Sequence, residues 1–119
     1  MSWELRTTRD FERTSKQIAK KSPAGFSQAF SNLRHVEDKL NIGCSVNDIL
    51  KSGHVHPAQK GIFGVDEKGK QKSQPLRLYV WPDKDNKILY LLRFTEKDQQ
   101  SQAIQDCIND IHQLQEGEI

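Results

Sequence analysis

The sequence predicts an α+β fold in which helices pack on a small antiparallel sheet, and three observations indicate that class. Residues 76–81 alternate between apolar and other side chains, which is typical of a strand with one buried face. Residues 88–94 follow a turn and are apolar at nearly every position, as in a central strand. Residues 26–40 repeat apolar side chains at helical spacing. The length of 119 residues is that of one domain, so we expect a single domain over 1–119 with the order β-α-α-β-β-β-α.

The amino-terminal part is expected to form a short strand and a helix. Residues 3–7 alternate apolar and polar side chains, and a helical stretch opens at residues 8–10. Phe11 and Ile18 are its apolar positions, a thin stripe that places this helix on the surface of the fold. Pro23 interrupts the stretch, because the residue before a proline disfavours helix whereas proline itself fits a first turn.

A second helix is expected to begin at Pro23 and to end near Asn41 and Gly43. Its apolar stripe, suited to packing on a sheet, consists of Phe26, Ala29, Phe30, Leu33, Val36 and Leu40. Residues 45–50 predict a single capped helical turn. Residues 51–59 are predicted to be a loop.

Three strands and a final helix are expected in the second half of the chain. After a short strand over 62–65 and a polar connection, the strand over 76–81 divides its side chains between two faces. One face carries Leu76, Leu78 and Val80, and the opposite face carries Arg77, Tyr79 and Trp81. Residues 82–87 have turn chemistry, so this strand and the one over 88–94 form a β-hairpin. The final helix has an apolar stripe of Ile104, Cys107, Ile108, Ile111 and Leu114, and residues 115–119 are expected to be a frayed tail.

Composition and charge exclude several classes of protein. No apolar run approaches the ~20 residues that cross a bilayer, and the amino terminus does not resemble a secretion signal. We therefore expect a soluble cytoplasmic protein with no membrane partner. The net charge of +2 is weak, although residues 1–60 carry an excess of four positive charges, so nucleic acid is expected to bind only through a local patch. Cys44 and Cys107 fit no C-x-x-C spacing, and both are expected to be reduced.

The strand face with Arg77, Tyr79 and Trp81 is a candidate nucleic-acid surface. Arginine donates bidentate hydrogen bonds to phosphate, and aromatic rings stack on bases. Arg93 on the adjacent strand extends the face, and lysines flank it in the neighbouring segments: Lys68, Lys70, Lys72 and Lys97. The alternative is a face covered by a helix, with amphipathic aromatic rings and with arginine stems lying along apolar surface.

His54 and His56 form an H-x-H pair in the predicted loop. Their spacing matches no standard zinc arrangement, so we predict no metal site. Histidine titrates near neutral pH, which makes His56 a candidate for acid–base chemistry. The sequence has no phosphate-binding glycine loop, serine nucleophile elbow or thioredoxin-like motif, and no cofactor is predicted.

Residues 61–66, 76–82 and 90–98 resemble the corresponding strands of the RelE/ParE family of bacterial toxins. The predicted order of elements is also similar to that family's fold, in which two amino-terminal helices pack on a small antiparallel sheet. The resemblance implies a type II toxin–antitoxin toxin with a cognate antitoxin as its partner. RelE-like members are mRNA interferases: they cleave mRNA, typically on the ribosome, without a metal. ParE-like members share the fold but inhibit DNA gyrase.

For individual residues, the resemblance implies that Arg77 contacts the scissile phosphate, as the strand arginine of the nucleases does. Lys97 and Arg93 would add positive charge, while Lys68, Lys70 and Lys72 lie about where the nucleases place RNA-binding lysines. The chemistry implied is attack of a ribose 2′-hydroxyl on the adjacent phosphate, which needs a proton acceptor, a proton donor and cations. The acceptor and donor are left open among His54, His56, a loop lysine, Asp98 and Tyr79.

Three positions depart from the family's pattern. Gly64 stands where a basic strand residue is common, and Ala103 stands where many of the nucleases have a tyrosine or another polar group. Glu96 precedes Lys97 in a segment that is often richer in positive charge. The alternatives to an endoribonuclease are therefore a ParE-like, non-enzymatic inhibitor of DNA gyrase and a degenerate member of the fold that retains only partner binding.

Overall fold

The computed structural model describes residues 3–21, 23–49, 55–57, 61–66, 76–96 and 100–115. Its elements, in chain order, are β1 Glu4–Thr7, α1 Arg9–Lys21, α2 Pro23–Asn41, α3 Val46–Ile49, β2 Val55–Pro57, β3 Phe63–Asp66, β4 Leu76–Asp83, β5 Ile88–Glu96 and α4 Gln100–Gln115. The predicted α+β class and the predicted order are confirmed, with β2 as an additional strand. In the part of the chain that is described, no helix combines the length and the apolar character needed to cross a membrane.

Within the described residues, the sheet has five strands in the order β1-β5-β4-β3-β2. The hairpin of β4 and β5 lies at its centre, and its pairing shifts at a bulge between Tyr79 and Val80. β2 and β3 add antiparallel strands on one side of this hairpin. On the other side β1 pairs in parallel with the first half of β5, from Glu4↔Ile88 to Thr7↔Leu91. The sheet is therefore mixed, because the connection from β1 to β5 crosses over the sheet instead of turning back directly.

α1 covers the half of the β5 edge that β1 leaves open. The Thr8 hydroxyl donates to the carbonyl oxygen of Leu92 at 2.8 Å, and the Phe94 N–H donates to the Thr14 hydroxyl at 3.0 Å. Thr8 also accepts the Phe11 N–H at 3.0 Å and thereby caps the start of α1. α1 lies on the surface of the fold as expected, and the two buried threonines on its inner side take the place of a further strand along β5.

The two faces of the sheet bury two separate cores. Against α1 and α2 lies the larger core, to which the strands contribute Leu76, Leu78, Val80, Leu89, Leu91 and Phe94. Phe26 stacks on Phe94 with ring centroids 5.5 Å apart, so the predicted stripe of α2 meets the sheet as expected. α4 covers the opposite face, where Tyr79 and Leu92 pack with Ala103, Cys107, Ile108 and Ile111.

Residues 51–59 were predicted to be a loop, but residues 55–57 form the edge strand β2. Val55 pairs with Val65 and Pro57 pairs with Phe63, and the Val55 side chain is buried. Three residues are too short for a periodic signal, and proline is tolerated at a sheet edge. The predicted helical turn at 45–50 is confirmed as α3, where the side chains of Ser45 and Asp48 bond each other's backbone N–H as a capping box does.

Candidate functional site

Arg77 lies half-buried on β4 with its side chain across the neighbouring strand β3. A Cβ atom built on Gly64 would lie 2.9 Å from both Cγ and Nε of Arg77 and would also collide with Cδ. Only glycine at position 64 leaves this path open to the arginine. The departure at Gly64 is therefore explained by packing, since the missing side chain makes room for Arg77.

The backbone register brings residue 56 next to the same place. His56 of β2 pairs with Gly64, and Gly64 in turn pairs with Tyr79 on β4. His56 thus lies in one cross-strand row with Gly64 and Tyr79, whereas Arg77 pairs with Asp66 and reaches Gly64 through its side chain. The remaining predicted cations lie outside the described residues: Lys68, Lys70, Lys72 and Lys97.

Tyr79 and Trp81 lie on the sheet face under α4, as the helix-covered alternative predicts. Tyr79 is fully buried. Trp81 is half-buried and stacks on Tyr90, with centroids 5.5 Å apart and planes inclined by 18°. The base-stacking role expected for Tyr79 does not fit this burial, because no face of its ring is accessible. Ala103 is buried in the same core, so its departure from the family pattern also belongs to helix packing.

Arg93 is surrounded by three carboxylates, a group called here the Arg93 cluster. Its Nη2 donates to Asp10 of α1 at 2.5 Å, and its Nη1 lies 3.7 Å from Asp106 of α4. Nε lies 3.4 Å from Oδ2 of Asp110, an ion pair outside hydrogen-bond geometry. Only 13% of the Arg93 side chain is exposed. The expected role in phosphate stabilisation does not fit these contacts, because the charge is already neutralised where α1, β5 and α4 meet.

Two carboxyls of the Arg93 cluster, those of Asp10 and Asp110, have pKa values shifted in opposite directions. Burial raises the pKa of Asp110 to about 6, against the opposing attraction of Arg93 and with a further upward contribution from Asp10. Burial also acts to raise the pKa of Asp10, but Arg93 and Arg13 outweigh it and lower that pKa below its usual value. Asp110 thus keeps its proton to a higher pH in the folded than in the unfolded chain, whereas Asp10 is held as the anion.

Asp110→Asn is expected to flatten the pH dependence of stability between pH 5 and 7. The folded pKa of Asp110 lies above the unfolded value, so its contribution is fully present below about pH 4 and is lost as the pH rises through 6. The loss between pH 5 and 7 should be on the order of 1–2 kcal/mol, because at ~1.4 kcal/mol per pKa unit only the upper part of the shift falls within this window. Thermal unfolding from pH 4.5 to 7.5 measures it, with Asp85→Asn in the exposed turn after β4 as the control. Equal decreases in Tm across this range for wild type and Asp110→Asn would contradict the assignment.

Cys107 is not a nucleophile in this fold. It is fully buried under α4, and burial raises the pKa of its thiol to about 12. A thiol of this kind remains protonated at neutral pH and acts as a small apolar side chain. Cys44 is partly exposed, and both cysteines are free.

Next to the Arg93 cluster a cleft of about 430 Å³ opens between α1 and α4. Its lining residues are Arg13, Thr14, Gln17, Arg93, Thr95, Gln102, Ala103 and Asp106. Thr95 pairs with Arg77 across the sheet, so the cleft adjoins the strand that carries the candidate phosphate contact. The described residues contain no group of three or more His, Cys, Asp or Glu side chains placed to hold a metal ion.

Two solved structures are similar to this architecture. A mutant of the E. coli toxin RelE in its free state superimposes with a TM-score of 0.62 at 12% sequence identity, covering 93% of this chain and 99% of the toxin. The chain has a RelE-like fold. The RelBE2 toxin–antitoxin complex of Mycobacterium tuberculosis gives a TM-score of 0.43 at 14% identity, over 81% of this chain and 99% of that one. No protein-family model matches the sequence, and a search of curated proteins finds no match.

The RelE-like fold is consistent with the resemblance of residues 61–66, 76–82 and 90–98 to the RelE/ParE family. In this chain the resemblance rests on the alternation of the central hairpin and on the order of the predicted elements. Both are fixed by burial on two faces of a sheet, which constrains the class of side chain more than its identity. The site residues are not constrained in that way, so each has to be argued from its own contacts.

Proposed function

We propose that this protein is a RelE-type toxin that cleaves mRNA without a metal and is restrained by a cognate antitoxin. The observation that carries the proposal is the placement of Arg77, half-buried on β4 of a RelE-like sheet and laid across Gly64 beside residue 56. An arginine held in one position is preorganised to bind the charge that develops on a phosphate. The proposed site of action is the cytoplasm, with mRNA on the ribosome as substrate.

The proposed reaction is attack of a ribose 2′-oxygen on the adjacent phosphorus, with cleavage of the bond to the 5′-oxygen of the next nucleotide. The 2′-hydroxyl proton passes to a general base, and the departing 5′-oxygen gains a proton, so the products are a 2′,3′-cyclic phosphate and a 5′-hydroxyl. Arg77 stabilises the negative charge on the non-bridging oxygens in the transition state. His56 is proposed as one of the proton-transferring groups, because its position on β2 pairs with Gly64, over which the Arg77 side chain lies.

The lysines in the segments that follow β3 and β5 are proposed to contact the RNA. Lys97 follows β5 directly, and Lys68, Lys70 and Lys72 lie between β3 and β4. Each would supply a positive charge to the phosphates on either side of the scissile one. Arg93 and Tyr79 are left out of this set because their side chains are already engaged in the Arg93 cluster and in the core under α4.

The antitoxin is proposed to cover exposed strand and apolar surface of the toxin. β1 is an edge strand whose four side chains are all exposed, and Leu5 is a large apolar residue among them. Ile42, just after α2, is also largely exposed. Edge strands and exposed apolar residues are surfaces on which an extended or helical partner segment gains both hydrogen bonds and buried area.

The test uses purified wild-type protein and 5′-labelled mRNA, either free in buffer containing EDTA or bound to ribosomes in buffer that keeps the Mg²⁺ they require. The expected result is cleavage that leaves a 2′,3′-cyclic phosphate and a 5′-hydroxyl, together with growth arrest when the protein is induced in a bacterial host. Growth arrest without RNA cleavage but with a DNA-damage response would replace the proposal with ParE-like inhibition of DNA gyrase. Absence of both cleavage and growth arrest would eliminate an active toxin.

A second candidate function is partner binding without turnover. It is favoured by the engagement of Arg93 and Tyr79 in structural contacts, which removes two of the expected contributors to the site. This candidate predicts that the protein binds its antitoxin but leaves both RNA and growth unaffected. The same pair of assays therefore separates it from the nuclease.

A further inference from the structure

Four cations form a continuous line along the outer face of α1. They are exposed and are called here the basic stripe: Arg9, Arg13, Lys16 and Lys20. At about 100° per residue, these positions fall within an arc of roughly 60° on the helix surface. The buried side chains of Phe11 and Ile18 lie on the opposite side of α1, against the sheet. The basic stripe therefore faces directly away from the core.

The charge of α1 differs from that of the other long helices. α1 has five Lys/Arg residues against two Asp/Glu residues, and one of the acids, Asp10, pairs with Arg93 as well as with Arg13 of the stripe. α2 has two basic and two acidic residues, while α4 has two acidic residues and no Lys or Arg. An ordinary solvated helix face mixes the two signs, as α2 does. Among these three helices, a net positive charge is thus found on α1 alone.

The basic stripe leads to the candidate site along a defined route. Arg13 belongs to the stripe and also lines the cleft between α1 and α4, where Gln17 lies beside it and Gln102 is on the opposite wall. Thr95 also lines this cleft, and it is the cross-strand neighbour of Arg77. A strand of nucleic acid that reaches Arg77 from this side passes through the cleft and over Arg13.

We infer that the basic stripe binds the phosphate backbone of the RNA whose scissile phosphate meets Arg77. The inference rests on the proposed function and extends it from one phosphate contact to an RNA path. The stripe is roughly 16 Å long at 1.5 Å rise per residue, which is enough for several consecutive phosphates. Binding of this kind depends on counterion release and needs no base-specific contact.

The surface chemistry favours RNA over an acidic protein or a membrane. Around the stripe, the exposed residues of α1 are Glu12, Gln17 and Lys21, all of them polar. A protein interface is expected to have an apolar centre, which this face lacks. A membrane-surface helix inserts its apolar face into lipid, but the apolar face of α1 is buried against the sheet.

The test measures binding of a fluorescent 20-nucleotide RNA whose 2′-hydroxyls are methylated, so that it has no internal nucleophile and cannot be cleaved. Wild type is compared with Lys16→Ala/Lys20→Ala, and with a matched control that removes two exposed cations elsewhere, Arg34→Ala/Lys84→Ala. The stripe variant is expected to bind on the order of tenfold more weakly at 0.1 M salt. The slope of log K against log salt concentration should fall by about 1.4, because each lost contact to single-stranded nucleic acid contributes about 0.7. The control variant should bind as wild type does, and thermal unfolding should be unchanged in both.

Equal RNA binding by the stripe and control variants would overturn the inference. Binding to poly-glutamate or to phosphatidylglycerol vesicles as tight as to RNA, with the same loss in the stripe variant, would also overturn it in favour of those partners. The cleavage assay keeps the two proposals separate. If the stripe variant loses RNA affinity but wild type cuts no RNA, RNA binding by the stripe is supported and the nuclease proposal fails. If wild type cuts RNA but the stripe variant binds RNA as wild type does, the nuclease is supported and the stripe inference fails.

Discussion

Replacing Arg93 with alanine is expected to lower the free energy of unfolding by about 3–5 kcal/mol at pH 7. The guanidinium is the counter-charge for Asp10 and Asp110, and its side chain is only 13% exposed. Removal of one partner from a buried ion pair leaves the other charge without compensation, which costs more than the pair contributes. Urea unfolding followed by circular dichroism measures the change, and proton uptake by Asp110 should make the loss smaller at pH 5.

The control for Arg93 is Arg6→Ala on β1. Arg6 also pairs with a carboxylate, Glu4, but the two side chains are 53% and 56% exposed. Because surface ion pairs are screened by water and salt, this variant should unfold close to wild type. If Arg93→Ala were as stable as Arg6→Ala yet lost RNA cleavage, Arg93 would have to be returned to the catalytic set.

Arg77→Ala is expected to reduce RNA cleavage by about 10²–10³-fold and to abolish growth arrest, while the free energy of unfolding changes little. The arginine lies on the sheet surface over Gly64, outside both hydrophobic cores, so its loss leaves no cavity in the core. Single-turnover cleavage with saturating protein gives the rate, and Lys84→Ala in the exposed turn is the matched loss of one cation. A rate for Arg77→Ala equal to that of Lys84→Ala would remove Arg77 from the proposed mechanism.

Gly64→Ala provides an independent test of the same arginine. The added methyl group occupies the path of the Arg77 side chain, so the guanidinium is displaced although the residue is still present. Cleavage should fall in Gly64→Ala, and the double variant with Arg77→Ala should be no slower than Arg77→Ala alone. Additive losses in the double variant would mean that Gly64 acts on cleavage through something other than Arg77.

The secondary structure of this protein is largely determined by local sequence. The strict alternation over residues 76–81 and the apolar strand that follows specify a hairpin buried on both faces. The helical stripes of α2 and α4 likewise specify which side of each helix is buried. In each of these elements the pattern repeats several times, so a single misplaced residue does not change the outcome.

The candidate site is determined less completely by the sequence. Arg77 could be predicted as a site residue from its strand position. That Gly64 makes room for its side chain could be seen only once β3 was known to pair with β4. The basic stripe was visible as a four-residue pattern over residues 9–20, and it was missed because the helix was judged by its apolar positions alone. The signal that could have found it is the 3.6-residue period of its charges.

The sequence by itself determined the fold class, the central hairpin, the two packed helices and the two faces of β4. Only the tertiary structure decided that β1 runs parallel to β5, that residues 55–57 form an edge strand, and that Arg93 forms largely buried ion pairs instead of lying on an exposed surface. The physical reason is how far apart in the sequence the interacting residues lie. Periodicity records which side of an element is buried, whereas the partner of a charge or of a strand edge depends on residues distant in sequence, such as Asp10 and Asp110 around Arg93.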